Sequence, residues 1–354
     1  MKLLYVLPNL NVGGVSRVVN ELATGMMQNE HQVIIVTLNE HYRQVRILNN
    51  IKIIELKVKY KKDLLRGILK LINIIKFEKP DIVHSHTVYS HIFVRVAKIF
   101  CTKPKYIASE HGTMNYLLSK GIGFKLMKFT NSFSDLITNV SQSSVESYVK
   151  YKIVNKNKII CVYNGIDLEE YYCLKKTHKI NKILYVGRIS KEKNLHLLID
   201  FLKALPEGAY KCDIVGDGDQ LEAIKQYAVS QNVENKVIFL GKRLDVPDIM
   251  KEYDILILTS FTEGLPTVLI EAIASKLLVL STDCGGVKEI LEGFEYLVVN
   301  NNDKNDLLNK FLNLEKMDLD LIRESLYQKI KNNFSKQIMI SVWENIYQDI
   351  VENE

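Results

Sequence analysis

KKTHKIN (175–181) runs straight into KILYVG (182–187) and then GRISKEKN (187–194), so a polar link gives way to an apolar run and that run to a basic turn. A run such as KILYVG is apolar on both faces, as a parallel strand must be when helices cover it above and below. Downstream come KCDIVG (211–216), KVIFLG (236–241), DILILT (254–259), KLLVLS (276–281) and EYLVV (295–299). Upstream, the same rhythm has already run once through KLLYVL (2–7), QVIIVTL (32–38), IKIIEL (51–56), DIVH (81–84), KYIAS (105–109), LITNV (136–140) and IICV (159–162). Between these runs, VSRVVNELATGMMQ (15–28), LHLLIDFLKAL (195–205) and LPTVLIEAIAS (265–275) carry the i, i+3, i+4, i+7 apolar spacing of helices with one buried stripe. Strands alternating with helices in two series predict an α/β protein of two doubly wound Rossmann-like domains, 1–176 and 177–335.

The composition agrees with this. The chain has 354 residues, 47% hydrophobic and 25% charged, which excludes disorder and fibre and gives each domain enough chain to bury a core. Charge is divided unevenly. Residues 1–175 hold 25 Lys and Arg against 13 Asp and Glu, a net +12, whereas 176–354 hold 22 against 28, a net −6. Such asymmetry points to an anionic partner for the first half: a membrane surface, a nucleic acid or a phosphorylated ligand. The five cysteines are odd in number, widely spaced and free of C-x-x-C pairs, so neither a disulfide framework nor a zinc site is expected, and a reducing cytoplasm fits best. The apolar run Leu3 to Leu7 is too short for a signal-peptide core, and no uninterrupted apolar stretch approaches the ~18 residues of a spanning helix.

In doubly wound sheets ligands bind beyond the carboxyl ends of the strands, so the residues after each run carry the chemistry. After strand 2–7, Gly13 and Gly14 open a helix whose bare N–H groups can meet a phosphate, or else simply form a tight turn. The nicotinamide pattern G-x-G-x-x-G is missing at this place. Arg188 and Lys193 follow strand 182–187 and supply two cations able to clamp a diphosphate. After strand 254–259, SFTEGLPTVLIEA places Glu263 on a loop and Glu271 two turns into a helix, where a carboxylate interrupting VLIEAIA is unexpected unless it binds something. Gly264, Leu265, Pro266, Thr267 and Val268 form the start of that helix, whose N–H groups face phosphate or sugar oxygens.

Taken in order, NVGGVSR, GRISKEKN, IVGDGDQLE and EGLPTVLIEA resemble the retaining nucleotide-sugar glycosyltransferases of the GT-B fold, in particular family GT4. The resemblance covers nearly the whole chain, and the E-x7-E segment from Glu263 to Glu271 is its most specific part. It implies two domains facing across a cleft, the first for the acceptor and the second for the donor, with the helix at about 336–354 crossing back to the first. It also implies a role for each matching residue. Gly14, with Gly13, gives an N–H to the donor phosphate; Arg188 and Lys193 neutralise the diphosphate; Glu263 holds the transferred sugar; Glu271 holds the ribose. Gly216 borders the nucleotide and Arg243 lies near the base. A histidine of the first domain faces the reacting sugar in this family. His86, one step beyond a strand end, is the choice here, with His111 and His91 as acceptor-side candidates and His84 as buried structure. Thr267 stands where the family often has Asn, and GDGD replaces the commoner GDGP.

No cofactor and no metal are expected, the UDP-sugar being a co-substrate. Asp217 and Asp219 form D-x-D, a metal-binding pattern in another glycosyltransferase fold, but here they are read as helix-capping acids opening DQLEAIKQYA. The expected activity is metal-independent, retaining transfer of a hexose or N-acetylhexosamine from a UDP-sugar to a growing glycan, polyprenyl-diphosphate-linked, in capsule, O-antigen or exopolysaccharide synthesis. The expected location is peripheral, on the anionic inner leaflet of the cytoplasmic membrane, through the basic first half and best through YKKDLLRGILKLINIIKFEK (60–79). Two rivals are kept: a UDP-sugar 2-epimerase of the same architecture, and a non-enzymatic nucleic-acid-binding protein, which would leave the glutamate pair idle.

Overall fold

Tyr5 illustrates why the apolar runs are apolar throughout. In the strand Lys2–Leu7, Leu3, Tyr5 and Leu7 face one side and Leu4 and Val6 the other, and each set is buried under its own layer of helices. A computed structural model describes residues 1–11, 13–39, 51–113, 124–174 and 179–352. Val12 and positions 175–178 of the KKTHKIN link lie outside the described residues.

The chain forms two compact units, Met1–Gly165 with Lys336–Glu354, and Ile166–Ser335. The boundary therefore falls about ten residues before the expected 176. Ile166 and Ser335, the first and last residues of the second unit, pair as an isolated parallel bridge, and Ile166 N–H donates to Phe334 O at 3.1 Å. The segment 166–174 thus belongs to the second unit, where helix Leu168–Tyr171 packs against helix Thr267–Ala274.

The first unit holds a seven-stranded parallel sheet in the order β3-β2-β1-β4-β5-β6-β7. Its strands are β1 (Lys2–Leu7), β2 (Gln32–Thr37), β3 (Lys52–Glu55), β4 (Ile82–His86), β5 (Lys105–Glu110), β6 (Leu136–Asn139) and β7 (Ile159–Cys161). Helices Leu64–Glu78 and Val88–Phe100 cover one face, burying Leu71, Ile72, Ile75, Phe93, Val94 and Ala97. Helix Gly14–Gln28 and the C-terminal helix Lys336–Glu352 cover the other. Met339, Trp343 and Tyr347, four residues apart, form the buried stripe of that last helix. A Cβ at Gly25 would sit 2.0 Å from Ile340 Cδ1, so any larger residue here would have to displace the Ile340 side chain.

The second unit holds a six-stranded parallel sheet, β10-β9-β8-β11-β12-β13. The strands are β8 (Lys182–Val186), β9 (Lys211–Val215), β10 (Val237–Gly241), β11 (Ile255–Leu258), β12 (Leu278–Thr282) and β13 (Val298–Val299). In each sheet the winding reverses once, between β1 and β4 and between β8 and β11, and such a switch point opens a crevice at the strand ends.

Candidate active site

The β8 exit, Gly187 to Asn194, and the β11 exit, Thr259 to Pro266, lie side by side at the switch point of the second unit and are tied together. Phe261 N–H donates to Glu192 O at 2.8 Å, and Thr259 Oγ1 donates to Lys193 O at 3.0 Å. Lys193 closes a 3-10 turn, and Asn194, in the left-handed region at φ 48, turns the chain into helix Leu195–Ala204. The result is a direct contact: Lys193 Nζ lies 2.5 Å from Glu263 Oε1, and Ser260 Oγ donates to the same oxygen at 2.7 Å. Both ionic side chains keep an edge to solvent, 20% for Lys193 and 13% for Glu263. Ser260 is not among the residues the sequence singles out, although a hydroxyl between a strand end and a carboxylate three residues on is a visible signal.

Arg188, in the same β8 exit, is exposed; its carbonyl oxygen accepts from Tyr185 Oη at 3.1 Å, and among the described residues its guanidinium makes no hydrogen bond or ion pair. Gly264 O accepts from Gly286 N–H at 2.7 Å, fixing the loop from behind. Pro266 precedes helix Thr267–Ala274 and carries no N–H, so the donors there reduce to Thr267 and Val268, ahead of the first bond from Leu269 N–H to Pro266 O; no side chain caps the helix. Leu265 is buried, and Glu271 is buried in the same helix. Gly216 is required by shape: its φ is 145 and a Cβ there would lie 1.9 Å from Gly187 O, so the β9 exit presses on the β8 exit.

Arg243, near the edge strand β10, pairs with Asp245 through Nε and Nη2 at 2.8 and 2.5 Å. One reading changes. The helix after GDGD begins at Leu221 with Gln220 at its cap and no side-chain capping bond. Asp217 Oδ1 instead accepts from Gly218 N–H at 2.7 Å, because the loop must first pass Ile189, whose N–H donates to Asp217 O. Among the described residues no three His, Cys, Asp or Glu converge to hold a metal.

In the first unit, Gly13 precedes helix Gly14–Gln28 in extended backbone, with no side-chain cap and no acid in the first turn. Ser16 Oγ turns back to Asn9 O at 3.1 Å, and a Cβ at Gly13 would meet nothing within 4 Å. The helix start is therefore uncapped and open, as an oxyanion site requires.

The histidines separate by depth. His84 is fully buried, with Nδ1 2.7 Å from Tyr347 Oη and Nε2 2.6 Å from Ser109 Oγ, and Trp343 packs on its ring at 4.5 Å between centroids. His91 lies on the other face of the sheet, 2.7 Å from Ser85 Oγ and 3.4 Å from Glu110 Oε1, and is fully buried, so it cannot meet an acceptor. Glu110, although burial alone would raise its pKa, is held below the carboxylate range by facing His91 and Arg95. His86 is only 2% exposed, and its Nδ1 lies 3.1 Å from His111 Nε2. His111, just past the end of β5, keeps partial exposure. Of this pair, His111 is the partly exposed residue and His86 the buried one. Burial pushes His86 well below the ordinary histidine value and His111 down to about 4, so both are neutral near pH 7.

Two parallel doubly wound α/β domains in one chain are the GT-B fold of glycosyltransferases. The Anabaena HepE protein in complex with UDP superposes with a TM-score of 0.85 over 99% of this chain and 100% of its own, at 18% identity. The family described as "Glycosyl transferases group 1" matches residues 174–335 and "Glycosyltransferase Family 4" matches 12–170; the chain belongs to this glycosyltransferase family. Among named relatives, the N-acetyl-alpha-D-glucosaminyl L-malate synthase of Bacillus anthracis is 27% identical, covering 97% of this chain and 96% of that protein. The UDP-Gal:alpha-D-GlcNAc-diphosphoundecaprenol alpha-1,3-galactosyltransferase of Escherichia coli is 27% identical, covering 82% and 81%.

Proposed function

We propose that the chain is a retaining, metal-independent transferase that moves a hexose or N-acetylhexosamine from a UDP-sugar to a polyprenyl-diphosphate-linked glycan during cell-surface polysaccharide synthesis. The observation that carries this is the Lys193–Glu263–Ser260 contact with Arg188 beside it. A lysine ammonium has three donors, so Lys193 can hold Glu263 and a phosphoryl oxygen together. Glu263 accepts from sugar hydroxyls, and Arg188 takes the second phosphate as a charge-assisted pair. In the reaction the acceptor O–H attacks the anomeric carbon on the leaving-group face as the bond to the diphosphate breaks. The electron pair leaves on UDP and the proton passes to its phosphate oxygen. Preorganised cations at that oxygen stabilise the transition state more than the ground state.

The acceptor class draws support from the E. coli relative, whose name specifies a diphosphoundecaprenol acceptor. The B. anthracis relative, named for L-malate, covers more of the chain and favours a second acceptor, a small hydroxy-dicarboxylate, which the basic first half would also attract. Incubating the protein with a panel of UDP-sugars and either a GlcNAc-diphosphopolyprenol or L-malate, and resolving products by mass, decides between them. Lipid-linked product is expected; product on malate alone replaces the acceptor. Epimerised sugar formed without any acceptor would replace the reaction class.

A further inference from the structure

We propose that His86 is a positioning residue whose Nδ1–H, donated to Nε2 of His111, holds His111 in the tautomer that presents an Nδ1–H donor to a substrate oxygen. This rests on the proposed transfer reaction, because it supposes that His111 meets the sugar or its acceptor. The His86 ring is locked in place. It stacks on His84 at 4.2 Å and 35°, with the Tyr5 ring edge-on at 6.0 Å. His84 in turn is held at both nitrogens by Tyr347 and Ser109, and Trp343 packs on it. The backbone contributes as well: Thr87, directly after His86, sits at φ 72, ψ 154, and its N–H donates to Ser109 O at 3.2 Å.

The tautomer follows from where a lone N–H can be tolerated. Both rings are neutral, so each carries one N–H, and across the 3.1 Å contact one ring donates and the other accepts. His86 Nε2 and His111 Nδ1 are both buried without a partner. If His111 donated, the unused N–H would fall on His86 Nε2, which is buried without a partner among the described residues, on a ring packed between His84 and Tyr5. If His86 donates, the unused N–H falls on His111 Nδ1, which is also buried in the free protein but belongs to the partly exposed residue just past β5, the one of the two that a ligand oxygen can approach. A buried donor left unpaired is costly, so the second arrangement prevails. Glu110 and His91 are the other ionisable groups acting on His111, and neither bonds its ring nitrogens.

The test uses the full chain labelled with nitrogen-15 histidine, of which there are eight, His111 being assigned by its loss in His111→Ala. Long-range proton–nitrogen spectra of the wild type should show His111 protonated at Nδ1 and bare at Nε2. His86→Leu should move the proton or mix the tautomers, and lower kcat about 10- to 100-fold with little change in donor KM. His86→Asn places an amide nitrogen where Nδ1 stood and should restore the tautomer and most of the rate; His86→Gln, with its nitrogen beyond reach, should not. A wild-type His111 protonated at Nε2, or a pattern indifferent to His86→Leu, overturns the proposal, and the wild-type spectrum decides even if the leucine variant does not fold. Wild-type turnover by His111→Ala overturns its substrate end alone, whereas absence of any sugar transfer by the wild-type protein overturns the transfer reaction on which it rests.

Discussion

Thr87 occupies a backbone region that is nearly the preserve of glycine, and it is β-branched. The chain tolerates this at the point where β4 must release His86 toward His111. Such strain costs on the order of 1–3 kcal/mol, and glycine relieves it while losing about 0.5–1 kcal/mol of backbone entropy. Thr87→Gly is therefore expected to gain roughly 1 kcal/mol in urea unfolding and to lose transfer activity as the exit loosens. Glu263 behaves oppositely. Glu263→Ala should fold normally and lose on the order of 100- to 1000-fold in turnover, comparable to removing one transition-state donor, and a wild-type rate would remove the sugar-binding assignment. The sequence shows Glu263 and Lys193 as candidates because charges at strand exits are conspicuous. It does not show Thr87, since nothing local announces a positive φ in a β-branched residue, nor the depth at which His86 and His91 lie, because burial of a strand-end histidine is decided by helices far along the chain, as Trp343 and Tyr347 do around His84.

At the scale of elements, the strand ends β4 and β5 carry a pH signature. His84, His86, His91 and His111 all have pKa values lowered by burial. In the unfolded chain these groups titrate near the reference 6.5, so below that pH the unfolded state binds protons that the native state refuses. Stability is full above about pH 6.5 and falls as pH drops toward 4, at up to about 1.4 kcal/mol per pH unit for each histidine. Denaturant melts at pH 7 and pH 5 should show this loss, and His86→Asn should lessen it. Helix Leu64–Glu78 carries a different expectation. Its outward stripe, with the turn before it, is Lys62, Leu65, Arg66, Leu69, Asn73, Lys76 and Phe77, with Leu65 69% and Phe77 80% exposed and no acid among them. Cations with exposed apolar side chains at helical spacing suit an anionic lipid surface. Leu65→Glu with Leu69→Glu should weaken cosedimentation with vesicles containing phosphatidylglycerol, and salt should weaken the wild type; equal binding to neutral vesicles would undo the electrostatic part. Each of the thirteen apolar runs read from the sequence contains a strand, because parallel strands covered on both sides are apolar throughout, although in EYLVV only Val298–Val299 is strand and Glu295–Leu297 is a 3-10 turn. The helix cap after GDGD is not recoverable in this way, because the loop's passage beneath Ile189 is a tertiary contact.

For the whole molecule, moving the boundary to Gly165 leaves the charge division intact. The first unit holds 25 Lys and Arg against 14 Asp and Glu, a net +11, and the second 22 against 27, a net −5. A net-acidic domain repels a diphosphate at long range, so donor affinity must come from cations at short range, where Coulomb energy outweighs the screened field. In the proposed reaction Arg188 and Lys193 are those cations. A UDP-sugar at 100 times its Kd should add about 2.7 kcal/mol to stability. Arg188→Ala should remove one charge-assisted contact, about 1.5–3 kcal/mol, weakening UDP roughly 10- to 100-fold. Lys193→Ala frees Glu263 as it removes a phosphate partner, so its loss should exceed that of Arg188→Ala, and the double variant should abolish both thermal stabilisation and transfer. The proposed reaction gives these side chains the place of a divalent ion, so wild-type transfer should persist in EDTA. Complete loss restored by manganese would return Asp217 and Asp219 to the chemistry, and unaltered nucleotide binding by the double variant would mean that the diphosphate is held elsewhere.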